Sequence, residues 1–144
     1  MLPVGKATRE LAGRGCRVMM CARDRDELSW AERRLGTDGA EVASVACDLT
    51  TPDAPAQIMA AVHERFSPLE LLVNNAGIIQ VGPFDALREE DFRRAMETML
   101  FAPLRLTTAA LPDLRQAESG NNWAKSPAPF DDRPTWDNWN KKKK

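Results

Sequence analysis

Three stretches of the chain place polar groups directly after an apolar run. Arg23 follows Val18-Met19-Met20-Cys21-Ala22, Asp48 and Leu49 follow the β-branched run Glu41 to Cys47, and Asn74-Asn75-Ala76-Gly77 follows Leu69 to Val73. Short apolar runs bounded by turn residues read as buried strands. In a doubly wound α/β sheet a ligand lies across the carboxyl ends of the strands, so all of these residues would face it. The guanidinium of Arg23 suits a phosphate through charge-assisted hydrogen bonds. Asp48 supplies a carboxylate acceptor, and Gly77, without a Cβ, lets a ligand approach the backbone. Plainer readings stand beside these. Arg23 also reads as a solvated arginine next to Asp24 and Asp26, Asp48 as a turn aspartate, and Asn74 and Asn75 as turn stabilisers.

Other reactive side chains carry less. His63 lies among Glu64 and Arg65 on a helix-like segment and reads as a surface residue, not a base. Ser29, Ser44 and Ser67 have no His/Asp arrangement that would make a nucleophile. Cys16, Cys21 and Cys47 form no CxxC pair and read as reduced, buried thiols without a metal or redox role.

The elements that must position these residues alternate between strand-like and helix-like. Lys6 to Ala12 is a short helix stopped by Gly13 and Gly15. Asp24, with Glu27 three residues on, opens a helix ending near Gly36. Asp53 and Pro55 open another, through Phe66. A last helix runs from about Glu89 to Ala110, with Phe92, Ala95, Met96, Met99, Leu100 and Pro103 at helical spacing, and Pro103 should bend it. Alternation of this kind predicts an α/β fold with a parallel sheet.

Composition is ordinary for a globular chain of 144 residues, 43% hydrophobic and 28% charged, and the length allows one domain. A net charge of −1 gives no electrostatic case for nucleic acid or an anionic membrane. No apolar run is long enough to span a bilayer, and Met1 to Glu10 has no signal-peptide character, so the expected location is cytoplasmic. Near Gln116 the chain changes. Ala117 to Lys144 has no Leu, Ile, Val or Met, yet holds three of the four tryptophans, and its basic residues are five lysines and Arg133 against thirteen arginines and Lys6 before it. Residues 1–116 therefore read as the domain, and 117–144 as a disordered tail of separate origin, a frameshifted or fused end. Trp123, Trp136 and Trp139 beside Lys141 to Lys144 do not outweigh that reading as a single-strand nucleic-acid site.

Leu71-Leu72-Val73-Asn74-Asn75-Ala76-Gly77-Ile78 resembles the strand-plus-NNAG signature of the short-chain dehydrogenases/reductases. Cys21-Ala22-Arg23-Asp24, Cys47-Asp48-Leu49-Thr50 and the Leu104 to Leu111 segment fall around it in the family's order, so the resemblance covers roughly residues 5 to 115. It implies a Rossmann-type fold and hydride transfer between a nicotinamide cofactor and a small-molecule alcohol or carbonyl. It also implies cofactor contacts at Arg23, Asp48, Leu49, Asn75, Ala76 and Gly77, with Gly5 as the last glycine of the pyrophosphate turn. Ala22 stands where an acidic residue would bind the ribose 2′-hydroxyl, and Arg23 beside it favours NADP over NAD. The resemblance pairs Asp48 with the adenine amino group.

The departures shape the expectation. The family's first strand and first two turn glycines have no counterpart, Met99 stands where the catalytic Asn falls, and no tyrosine occurs to supply Tyr-x-x-x-Lys. That tyrosine is the family's acid/base. A partial Rossmann domain, lacking the first strand and the C-terminal strands and inactive alone, is the expected product. Alternatives are a non-catalytic interaction protein, pairing with itself or a full-length relative through the helix containing Phe92 to Leu106, and a pseudogene or gene-model product. Because the first strand lies centrally in the order 3-2-1-4-5-6, its neighbours must pair directly or leave a gap. A gap would orphan buried amides, so the expectation is a three-stranded parallel sheet, marginally stable.

Overall fold

The computed structural model describes residues 6–36, 39–66, 68–79 and 81–118. Helix α1 (Lys6–Gly13) ends where Gly15 takes φ +80°. There Cys16 N–H donates to Leu11 C=O at 3.1 Å and Gly15 N–H to Ala12 C=O at 3.0 Å, the pair of bonds that closes a helix around a left-handed glycine. The chain then enters β1 (Val18–Ala22), α2 (Arg25–Gly36), β2 (Val42–Ala46) and α3 (Ala54–Arg65). Helix α2 begins on the Asp24 carboxylate, which accepts from the N–H groups of Asp26 at 2.8 Å and Glu27 at 2.9 Å. Helix α3 begins after Asp53 with Pro55 in its first turn, where no backbone donor is needed.

Strands β1 and β2 pair in parallel, Val18 opposite Val42 through Ala22 opposite Ala46. Alternation along them builds two apolar layers. On one face Met20 and Val42 pack with Ala31, Leu35 and Trp30 of α2. On the other, Met19, Cys21, Val45 and Cys47 meet Ala54, Ile58 and Val62 of α3 and Leu106 of the last helix.

The expected third strand does not form. Among the described residues the sheet is two-stranded, and residues 68–79 run as irregular chain. Leu69 and Leu72 still pack on the core, while Leu71 is 58% exposed. Apolar character draws the segment to the core, but a strand needs a backbone ladder, and none of the described residues offers one along this stretch. The three-stranded expectation fails: among the described residues β1 pairs with β2 alone, and direct pairing with residues 69–73 does not occur.

The long helix is also not continuous. Helix α4 (Glu89–Met96) passes through a wide turn at Glu97–Phe101 into α5 (Ala102–Glu118). In that turn Ala102 N–H reaches back five residues to Glu97 C=O. Pro103 follows at once, and its ring cannot tolerate the regular helical carbonyl four residues earlier, so the helix widens just before it. Helix α5 continues past Gln116 to Glu118, and the remainder of the tail assigned to 117–144 lies outside the described residues.

Candidate nucleotide-binding trough

An open trough of about 1400 Å³ runs along the whole length of β1 and past the residues that follow β2, walled on its other side by residues 68–79. Arg23, Asp48, Leu49, Asn75, Ala76 and Gly77 all line it, so the structure brings together every expected cofactor residue except Gly5, which lies outside the described residues.

The β1–β2 register makes Arg23 and Asp48 neighbours. Cys47 N–H donates to Ala22 C=O at 2.9 Å, which carries the parallel pairing one step past the strands and sets Arg23 opposite Cys47, one residue from Asp48. Arg23 is exposed and makes no ion-pair contact among the described residues. Asp24, next to it in sequence, is engaged in capping α2. Asp48 does close a turn, since its Oδ1 accepts from Thr50 N–H at 2.9 Å and Thr50 Oγ1 at 2.7 Å. Those two bonds, the backbone one first, hold its carboxyl below the usual carboxylate range, with the Arg23 charge adding to them. The turn occupies one oxygen and orients the other. Structural and binding roles are thus compatible. A Cβ added at Gly77 would meet nothing within 4 Å, so the backbone there is open to the trough.

Asp113, Thr107 and Arg105, which the sequence did not single out, hold the second wall together with His63 and Asn74. Asp113, 8% exposed on α5, accepts from Leu69 N–H at 2.9 Å and pairs with His63 Nε2 of α3 at 2.7 Å. The Leu69 bond, then His63, lowers the Asp113 carboxyl below its ordinary value. His63 is therefore half-exposed but partnered, more than a solvated surface residue. Asn74 Nδ2 donates to Thr107 Oγ1 at 3.1 Å, tying the Asn-Asn stretch to α5. Arg105 forms an ion pair with Glu97 and donates to Thr50 C=O at 3.3 Å, joining α5 to the Asp48 turn. A charged residue at 105 within Leu104-Arg105-Leu106 was the available signal.

The cysteines also differ from expectation. Cys16 is exposed, whereas Cys21 and Cys47 sit with their Sγ atoms 3.3 Å apart. No group of three or more metal-ligating side chains occurs among the described residues, and none of their helices is long and apolar enough to cross a membrane.

Residues 4–121 match the family described as short chain dehydrogenase. The chain is 34% identical over 120 residues to a tropinone reductase homolog of Arabidopsis thaliana, covering 82% of this chain and 44% of that protein. It is 30% identical over 118 residues to the 3-oxoacyl-acyl-carrier-protein reductase of Vibrio cholerae, covering 81% and 47%. Among solved structures, it superposes on a variant of actinorhodin polyketide ketoreductase with NADPH at TM-score 0.69 and 34% identity, covering 78% of this chain and 43% of that one. For L-sorbose reductase from Gluconobacter frateurii, complexed with NADPH and L-sorbose, the values are 0.70, 28%, 76% and 42%. The chain belongs to the short-chain dehydrogenase family, in a partial Rossmann-type fold, and spans less than half the length of these relatives.

Proposed function

We propose that this chain is the nucleotide-binding part of an NADP-dependent oxidoreductase acting on a small alcohol or carbonyl, and that these residues alone do not turn over substrate. The observation that carries the reading is the convergence of Arg23, Asp48, Leu49, Asn75, Ala76 and Gly77 on one trough. In this reading Arg23 holds the 2′-phosphate, Asp48 accepts from the adenine amino group, and the backbone from Asn75 to Gly77 borders the ribose and nicotinamide. The cofactor would supply the hydride. NADPH in two of the superposed structures supports the assignment, as do the carbonyl-reducing names of the relatives. The 144 residues contain no tyrosine, so the family's proton donor is not among them. Three free cysteines fit a reducing compartment, which we take to be the cytosol.

Titration calorimetry tests the cofactor assignment. NADPH should bind more tightly than NADH, and Arg23→Ala should erase the difference. Equal affinities in the unsubstituted chain would remove Arg23 from the site. Carbonyl reduction by the chain alone, surviving removal of contaminating reductases, would refute the claim of inactivity.

A second reading rests on a different surface. Phe92, Met96, Met99, Leu100 and Leu104 of the α4–α5 helix are all exposed, an apolar stripe of the kind that marks a protein interface. Through it the chain would pair with another copy or with a full-length relative. Co-purification lost on Met96→Asp would support pairing, and a monomer that captures no relative would exclude it.

A further inference from the structure

We infer that Cys21 and Cys47 form a dithiol that a small-molecule disulfide oxidises to an inter-strand disulfide. The two lie 26 positions apart in sequence, one in β1 and the other just past β2, and the parallel ladder brings their Sγ atoms to 3.3 Å. A disulfide needs about 2.0 Å, so the sulfurs must close a gap on the order of 1 Å. Both side chains line the trough, which gives a reagent its route. Cys16 also borders the trough, but it is exposed and its sulfur is not paired with another cysteine among the described residues, so it provides an internal comparison.

The chemistry is an ordinary double exchange. Burial, then the contact with Cys47, pushes the Cys21 thiol up to about 12. With Cys21 holding its proton, the first attack falls to Cys47. Its thiolate displaces one thiolate from the small-molecule disulfide and becomes a mixed disulfide. Cys21 then loses its proton to solvent, attacks the Cys47 sulfur and releases the second thiolate. Two protein thiols are oxidised, one disulfide is reduced, and the two released thiolates take up the two protons. Arg23 and Asp48 follow directly in sequence, so on the cofactor reading above the bridge forms beside the nucleotide contacts.

The test uses the full chain carrying Cys16→Ala, incubated with oxidised glutathione in native buffer and read by intact mass and thiol titration. Both remaining thiols should disappear together with the loss of two hydrogens, faster than in denaturant, and return on reduction. With Cys21→Ala added, Cys47 should stop at a stable glutathione adduct. Phenylarsine oxide, which bridges close thiol pairs, should bind once per native Cys16→Ala chain and block the oxidation. Separate adducts on Cys21 and Cys47 in the Cys16→Ala chain would overturn the inference. So would thiols that stay free while Cys16 of the unsubstituted chain is fully modified. Neither readout depends on nucleotide binding, so the cofactor reading stands or falls separately.

Discussion

The stretch from β1 to α3 and the stretch from residue 68 to the wide turn carry similar apolar character, and they fold very differently. In the first, each strand edge that is used has a partner, each helix has a local start signal, and the apolar side chains close on Ile58, Val62, Leu35 and Ala31. In the second, irregular chain and amphipathic helix leave Leu71, Phe84, Phe92, Met96 and Met99 exposed. Apolar side chains decide where a segment is attracted. A backbone partner decides whether it becomes a strand.

That contrast can be broken most sharply at neighbouring positions of α5. Leu106 is buried in the α3 core, and Leu106→Ala should cost about 2–5 kcal/mol by urea denaturation. Such a loss would consume much of a small domain's stability. A cost no greater than that of an exposed leucine would mean that α5 is not part of the core. The next effect is at Asp113, which fastens the irregular wall to the packed half. Asp113→Ala orphans the Leu69 N–H and should cost about 1–3 kcal/mol.

Asp113 also gives the wall a pH signature. Its folded carboxyl titrates below the ordinary value, so the stabilisation is present above the unfolded value of 3.8 and is lost as pH falls through the lower folded value. Urea midpoints measured on descending through this acidic range should fall less steeply in Asp113→Asn than in the unsubstituted chain. Equal slopes would show that Asp113 does not fasten the wall. A smaller cost, about 1–2 kcal/mol, is expected for Gly15→Ala, because Gly15 holds φ +80° where a Cβ is strained. The smallest belongs to Leu104→Ala. At 59% exposure it should stay within about 0.5 kcal/mol in the monomer. A larger loss that grows with protein concentration would reveal the apolar stripe as an assembled interface.

What was legible in the sequence was local. Asp24 and Asp53 with Pro55 announced two helix starts because start signals are local: the Asp24 carboxylate caps α2, while α3 relies on Pro55 in its first turn and Asp53 makes no side-chain cap bond. The residues after β1 and β2 were readable as site candidates because strand ends are local too. Leu69 to Val73 was misread because pairing depends on a distant backbone. The Asp113–His63 contact spans 50 positions and the Cys21–Cys47 contact 26, so no spacing rule could disclose either. Met99 illustrates a different limit. The pattern placed it on an apolar helix stripe correctly, yet the pattern alone did not say which stripe faces this chain's own core.

The wide turn at Glu97–Phe101 explains how one helix keeps two such stripes. Reaching back five residues instead of four is equivalent to inserting one residue into a regular helix, which advances the downstream phase by roughly 100°. Ala102, Leu106, Ala110 and Asp113 thereby fall on the inward side of α5, while Phe92 and Met96 of α4 point elsewhere. Removing one residue from that turn would restore a single phase and force the two stripes to compete for the same side of the cylinder. The turn therefore works as a phase shifter, letting one uninterrupted stretch of sequence address two surfaces without a loop between them.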